Sequence, residues 1–185
     1  MERWFKDLTS HITPKVGAIE GSVLCIGLGK KWDNAINKDF LRKIRSVQEI
    51  SIKKWGRGYT HNTLIRTSLV KDWVPSNLKL QAFEDYELTK HVQRRGYKWI
   101  RIPSKVYHIK NWKKVAENSI WLGYSLKYVS ILSETEKLIY VINGIIYALK
   151  CIIDPRLKLS WRSRLYTIYQ KLFIFLGYFK SKILQ

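Results

Sequence analysis

The chain contains little acid for its length. It has 14 Asp and Glu residues against 34 Lys and Arg in 185 residues, which gives a formal net charge of +20 at pH 7. Such a surplus of positive charge attracts phosphorylated ligands, nucleic acid or anionic lipid, and charge alone does not choose among them. The few acids are also unevenly placed, because Glu84, Asp85 and Glu87 lie within four residues.

Cysteine is scarce, and the N-terminus lacks an apolar run. Cys25 and Cys151 have no second cysteine or histidine at zinc-ligand spacing. Neither a zinc module nor a disulfide framework is therefore indicated, and a reducing compartment fits best. The polar first 17 residues lack the apolar centre of a signal peptide. We therefore expect a cytoplasmic protein, whose 46% of hydrophobic residues is enough to bury a core.

The clustered acids stand at the start of a predicted helix over residues 84–95. Leu88 and Val92 are one turn apart, and Gly96 stands where a glycine often ends a helix. An acid in the first turn typically stabilises a helix by about 0.3–1 kcal/mol. Helix capping therefore explains the cluster as readily as a functional role does, and both interpretations stay open.

The segments after this helix favour the functional interpretation. Residues 97–102 and 105–109 alternate like two strands on either side of Pro103, an arrangement that holds His108 at a fixed distance from the acids. A carboxylate at a helix N-terminus in so basic a protein should stay ionised near neutral pH.

The order of these pieces resembles the second half of the A-type nucleotide-sugar glycosyltransferases, the large inverting family 2. A glycine-bearing loop, Arg66, the Glu84-Asp85 helix start, Gly96 and His108 follow one another in that order, and the resemblance covers roughly residues 12–130. It implies that Asp85 is the general base for the acceptor hydroxyl and that Glu84 orients the acceptor or the base. It also implies that His108 contacts a divalent metal, Mn or Mg, or the diphosphate.

The resemblance implies roles for the preceding loop as well. Asn62 and Arg66 would approach the donor phosphates and the acceptor. Trp55 would form an acceptor platform, since an aromatic face stacks on a sugar ring, although packing in the core explains that residue equally well. These three residues are the candidate substrate-binding residues.

One departure from the family concerns the donor site. No Asp-x-Asp metal motif occurs in the sequence, and no nucleotide-binding segment precedes the matching pieces. We therefore expect a truncated transferase, one that depends on a separate donor-binding half to use a nucleotide sugar.

We divide the chain into a glycosyltransferase-like half, residues 1–133, and a basic amphipathic helical tail, residues 134–185. From Lys137 onward nine Lys or Arg residues face one acid, which suits an anionic membrane surface. Residues 138–153 are too short an apolar run to span a bilayer, which takes about 20 residues. Residues 164–184 are expected to form an interfacial helix. The aromatic residues placed at the headgroup level are Tyr166, Tyr169, Phe173 and Tyr178. Packing of these helices against the missing half or against one another is the alternative.

The expected fold class is α/β, a partial A-type fold followed by amphipathic helices. The expected activity is transfer of a sugar from a nucleotide diphosphate sugar to a lipid-linked or saccharide acceptor with inversion, by a cytoplasmic protein at the membrane periphery. Two alternatives stay open. One is a basic nucleic-acid-binding protein that stacks Trp side chains on bases, and the other is a non-catalytic remnant that docks on an intact transferase.

Overall fold

The computed structural model describes residues 2–51, 57–77 and 83–183. Within these ranges the chain is a mixed α/β protein. The helices are α1 (Glu2–Thr9), α2 (Lys30–Lys43), α3 (Thr67–Val70), α4 (Glu84–Arg94), α5 (Trp112–Ser125), α6 (Glu134–Ile153) and α7 (Trp161–Ile183). The strands are β1 (Val16–Ile26), β2 (Gln48–Glu49), β3 (Thr63–Ile65) and β4 (Lys98–Ile109). Short 3-10 turns cover Thr60–Asn62, Leu126–Tyr128 and Pro155–Leu157. The predicted α/β class is confirmed, whereas the A-type glycosyltransferase fold stays a prediction.

The four strands form one sheet in the order β2-β4-β1-β3. The outer pairs, β2 with β4 and β3 with β1, are antiparallel. The two central strands run in the same direction, since the N–H of Lys98 donates to Lys15 O near their starts and that of Lys110 donates to Ile26 O near their ends. The sheet is therefore mixed, with the two longest strands side by side.

β4 is one continuous strand, where the sequence predicted two. Trp99 O accepts a hydrogen bond from Ile50 N, so residues 99, 101 and 103 direct their backbone polar groups toward β2. The pairing with β2 ends at Arg101. Pro103 lies beyond that pairing, where its missing N–H costs no hydrogen bond in the sheet.

The described chain divides into two compact units. The first comprises residues 1–24, 40–75 and 84–108, and the second comprises residues 25–39, 76–83 and 109–185. The division proposed from the sequence, at residue 133, stays a prediction. Each unit has its own apolar core.

In the first unit the sheet is covered on both faces. Trp99 packs with Leu88 and Val92 of α4, whereas the next residue, Ile100, packs with Leu8 of α1. Because successive strand residues point to opposite faces, α4 and α1 lie on opposite sides of the sheet. Gly96 ends α4 in the left-handed conformation, with a φ of 82°, which confirms its predicted role.

The second unit is built from helices. α6 begins with a capping box, in which Ser133 Oγ accepts from the backbone N–H of Glu136 while the Glu136 carboxylate accepts from that of Ser133. α5 and α7 cross so closely that a Cβ at Gly123 would lie 1.9 Å from Ile174 O, and one at Gly177 would lie 2.0 Å from Ile120 O. The two glycines therefore set the distance between these helices.

Replacing Gly177 by alanine should destabilise the second unit. The added methyl has to displace the α5 backbone, and overpacking of this kind costs about 1–3 kcal/mol, more where backbone must move. Gly144→Ala is the matched control: its Cβ would lie 3.4 Å from the flexible end of Lys171, and Ala is favoured over Gly within a helix by up to about 1 kcal/mol. Urea unfolding monitored by circular dichroism measures both changes. An unchanged midpoint for Gly177→Ala would contradict the close crossing.

Candidate functional site

A fully buried carboxylate stands in the middle of β1. Glu20 has 0% exposure, and it accepts hydrogen bonds from Trp99 Nε1 at 2.9 Å and from Tyr59 N at 2.6 Å. It also accepts a hydrogen bond from Arg101, with which it forms an ion pair. Burial raises the pKa of Glu20, while the charge of Arg101 and these hydrogen bonds oppose the rise. A buried charge persists only when it is paired and hydrogen-bonded, so Glu20 fixes these three partners around β1.

The loop formed by residues 57–59 is held at two points. Tyr59 N donates to Glu20, and Gly58 N donates to Oγ1 of Thr89, on α4, at 2.9 Å. Gly58 also lies directly against the Trp99 indole, since a Cβ there would be 2.0 Å from its Cε2 atom. Only glycine allows this approach, and the result is a fixed position for Arg57 beside the start of α4.

The Asp85 carboxylate lies next to Arg57. Asp85 is 7% exposed, and its Oδ1 is 3.5 Å from Nη1 of Arg57. This is a charge contact without a hydrogen bond, since Oδ1 is buried and has no hydrogen-bond partner among the described residues. Oε2 of the adjacent Glu84 is also buried without such a partner. Most buried polar atoms are hydrogen-bonded. These two neighbouring acceptors lack such a bond, which makes them candidates to accept one from a ligand.

Burial changes the protonation of Asp85. It raises the pKa of Asp85 from 3.8 to about 7; the charge of Arg57 opposes the rise, and those of Glu84 and Glu20 add to it. The expectation that this residue stays ionised near neutral pH therefore does not hold, because the loss of hydration outweighs the attraction of nearby positive charge. Both protonation states are populated near pH 7, as suits a group that accepts and returns a proton.

Asn62 and His108 come together elsewhere in the first unit. They line a cavity of about 560 Å³, whose other lining residues are Trp4, Val23, Lys105, Val106 and Tyr107. Asn62 is 3% exposed, and its Oδ1 accepts a hydrogen bond from the Trp4 indole. Its Nδ2 has no hydrogen-bond partner among the described residues. This buried donor and the Lys105 ammonium suit a ligand rich in oxygen atoms.

The two groups of predicted site residues lie on opposite faces of the sheet. Glu20 points toward the α4 face, where Trp99 lies, whereas a Cβ on the next residue, Gly21, would lie 2.5 Å from Asn62 Nδ2. Successive residues of a strand face opposite sides. The structure thus brings Asp85 together with Glu84, and Asn62 with His108, without placing the two pairs on one face.

The remaining predicted site residues lie apart from these groups. Arg66 donates from Nε to Val16 O at 2.7 Å and from Nη2 to Thr13 O at 2.6 Å, and its guanidinium lies 5.7 Å from the centre of the Tyr97 ring. These contacts fasten the turn before β1, and a role toward phosphates stays a prediction. Trp55 lies outside the described residues.

His108 was predicted to contact a metal ion, but the described residues provide no set of metal ligands around it. Across residues 2–51, 57–77 and 83–183, no three His, Cys, Asp or Glu side chains are close enough to hold a metal ion. The residues around His108 therefore do not fit a Mn or Mg site by themselves, and the reaction steps proposed below do not involve a metal. The predicted cofactor stays a prediction.

Sequence reasoning missed the residues that organise the site. Glu20, Arg57, Thr89 and Arg101 had no assigned role, yet they position or charge the surroundings of Asp85. One signal was present, because Glu20 is the only acid in the otherwise apolar strand VGAIEGSVLCI. A buried acid of this kind requires partners, which the sequence pattern does not identify.

The raised pKa of Asp85 makes stability depend on pH. Between the ordinary pKa and about 7, the folded state binds a proton that the unfolded state lacks, so the free energy of unfolding falls as pH rises through this window. Asp85→Asn removes this dependence. The variant should therefore gain about 2–3 kcal/mol relative to wild type between about pH 5 and about pH 8.

Urea unfolding at the two pH values measures the gain. Asp72→Asn, which removes the same charge from an exposed position, is the control and should show no such gain. A constant difference between Asp85→Asn and wild type at both pH values would disprove the raised pKa.

Comparisons with known proteins add no family to this picture. The chain matches no family model, no curated protein and no solved structure. Its function is therefore argued from the arrangement of side chains around Asp85.

Proposed function

We propose that this protein activates an acceptor hydroxyl for inverting transfer of a sugar from a nucleotide diphosphate sugar, with Asp85 as the general base. One observation carries the proposal: a buried carboxylate with a pKa of about 7 and an Oδ1 atom that has no hydrogen-bond partner among the described residues. A general base is most effective when its pKa is near the working pH. The order of segments shared with the inverting family 2 glycosyltransferases supports the same reaction.

The reaction is a single displacement. The acceptor O–H proton passes to Oδ1 of Asp85 while the acceptor oxygen bonds to the anomeric carbon of the donor. The bond from that carbon to the diphosphate oxygen breaks, and its electron pair leaves with the nucleoside diphosphate. Attack from the side opposite the leaving group inverts the configuration. Oε2 of Glu84, the other buried acceptor, is placed to take a hydrogen bond from a second hydroxyl of a saccharide acceptor.

Positive charge beside the base supports the departure of an anion. The guanidinium groups of Arg57 and Arg101 lie 5.4 Å and 5.3 Å from the centre of the Tyr59 ring. Both belong to partly exposed side chains, 20% and 16% respectively. Fixed cations near the site of charge development lower the barrier to loss of a diphosphate. Arg57 also limits the rise in the pKa of Asp85.

The acceptor in this proposal is a saccharide or a lipid-linked sugar. The donor site requires residues beyond those of this chain. Since the sequence has no Asp-x-Asp motif, we include in the proposal a separate donor-binding half that helps to hold the diphosphate. Calorimetric titration with uridine and guanosine diphosphate sugars, with and without manganese, tests whether this chain binds a donor by itself.

Transfer should depend on Asp85 and on pH. With radiolabelled uridine and guanosine diphosphate sugars and a lipid-linked sugar as acceptor, the wild-type rate should rise as pH increases through about 7, because the base must be unprotonated. Asp85→Asn should reduce the rate by about 10²–10⁴-fold. Product formation over a range of pH values measures both effects.

Asp72→Asn is the control for loss of a carboxylate and should keep the wild-type rate. A wild-type rate for a folded Asp85→Asn protein would disprove the assignment of the base. A folded wild type that neither binds nor transfers any sugar in the panel by itself would mean that the donor site depends on the separate half, and the transfer assay would then be repeated with that half present.

A further inference from the structure

The outer surface of α6 is aliphatic. Between residues 138 and 153, all of which the structure describes, Asn143 and Lys150 are the only exposed polar residues. The exposed apolar residues of this stretch are Leu138, Ile139, Ile142, Ile146, Leu149, Ile152 and Ile153. Most of them recur at spacings of three or four, so they form one stripe along the helix, about 22 Å long.

α7 carries a second stripe of the same kind. Its exposed apolar residues are Trp161, Leu165, Leu172, Leu176, Phe179 and Ile183. Their spacings of three, four and seven place them on one side of the helix. Lys180 is the only exposed polar residue of α7. Contiguous apolar surface of this extent is rare on soluble monomers and marks an interaction site.

Most of the charged residues around the two stripes are positive, although Glu134 and Glu136 are exposed in the first turn of α6. Lys150 lies within the α6 stripe, and Arg156 and Lys158 are exposed in the connection between α6 and α7. Arg162 at the start of α7 places its guanidinium 4.3 Å from the centre of the Trp161 ring. Asp154, which pairs with Arg156, is the only acid from residue 137 onward. The charge around the exposed aliphatic surface thus complements an anionic partner.

Three of the aromatic residues that the sequence placed at the headgroup level are packed within the second unit. Tyr166 and Tyr169 pack against Trp112, with ring centres 6.1 Å and 5.3 Å apart. Tyr178 is 5% exposed. The prediction is therefore wrong for Tyr178, because this side chain is buried. For Tyr166, Tyr169 and Phe173, which are half-buried, it stays a prediction. The exposed side is mainly aliphatic.

We propose that the exposed stripes of α6 and α7 form a docking surface for an anionic lipid bilayer. The aliphatic side chains enter the boundary between headgroups and acyl chains, and Lys150, Arg156 and Lys158 contact the lipid phosphates. No helix within the described residues is long and apolar enough to cross a membrane. A helix pair lying in the plane of the interface is consistent with this finding. The inference does not rest on the proposed transferase activity.

Three features favour lipid over a protein partner. The charged residues beside the stripes are mostly positive, whereas helices that pair with a protein helix usually carry both signs beside the apolar seam. The exposed side chains are mostly aliphatic, with a Trp beside cations at one end, as is typical of interfacial helices. The positive charge around the stripes is part of an excess over the whole chain, whose net charge is +20.

Vesicle flotation tests the proposal directly. The full chain should float with vesicles of phosphatidylcholine and phosphatidylglycerol in equal parts at low salt, and only weakly with phosphatidylcholine alone. High salt should weaken the binding, because it screens the attraction to the headgroups. Recovery entirely in the soluble fraction at low salt, or equal binding to both vesicle types, would overturn the proposal.

Two sets of variants locate the surface. The stripe variant combines Ile142→Gln, Leu149→Gln and Leu176→Gln, all at exposed positions, so that the fold is kept. Its control makes the same kind of change in the first unit, at the exposed residues Ile12, Val47 and Val74. The stripe variant should lose about tenfold or more in vesicle partitioning, and the control should bind as wild type does.

A cation variant, Lys150→Gln with Lys158→Gln, tests the contacts to lipid phosphates. It should lose most of the preference for anionic vesicles, whereas Lys113→Gln with Lys114→Gln on the exposed side of α5 should keep it. Circular dichroism confirms that each variant is folded. The proposal would be overturned if the folded stripe variant floated as wild type does. It would also be overturned if the wild type formed a dimer without lipid and did not float with vesicles.

Discussion

Burying the Glu20 carboxylate in the sheet forces separate segments of the first unit to meet. The cost of removing a carboxylate from water has to be offset by hydrogen bonds and opposite charge. β4 supplies Trp99 and Arg101, and the loop before β3 supplies the backbone N–H of Tyr59. That loop then carries Arg57 to the start of α4. Among the described residues, Arg57 is the only cation seen against Asp85. Its position depends on Glu20, which itself takes no part in proton transfer.

The two buried acids differ in how far their partners satisfy them. Glu20 accepts three hydrogen bonds, one of them from a guanidinium, and acts as a structural anchor. Asp85 has a cation at 3.5 Å and an oxygen without a hydrogen-bond partner in the described part of the chain. Burial makes its ionised form costly and raises its pKa to about 7, and the charge of Arg57 offsets only part of this rise. A buried carboxylate thus serves as a structural anchor at Glu20 and as a proton acceptor at Asp85.

Local patterns predicted the local structure well. The acidic helix was expected over residues 84–95 and spans Glu84–Arg94, with Gly96 at its end. The environment of Asp85 was not predictable in the same way, because Glu20 and Arg101 are separated by 81 residues and their meeting depends on strand order. The predicted site residues are divided between two faces of the sheet for the same reason, because strand order decides which segments meet on each face. On α7, aromatic residues are interleaved with aliphatic and polar ones, so the sequence pattern did not show that Tyr178 is buried.

The pKa of Asp85 is the quantity on which the functional account rests, and carbon-13 NMR of the carboxyl groups measures it directly. Comparing the titration of the wild type with that of Asp85→Asn assigns the signal. The account predicts a midpoint near pH 7 for this carboxyl group. A midpoint near the ordinary Asp value of 3.8 would show that Asp85 is ionised throughout the neutral range and would contradict its role as a base tuned by burial.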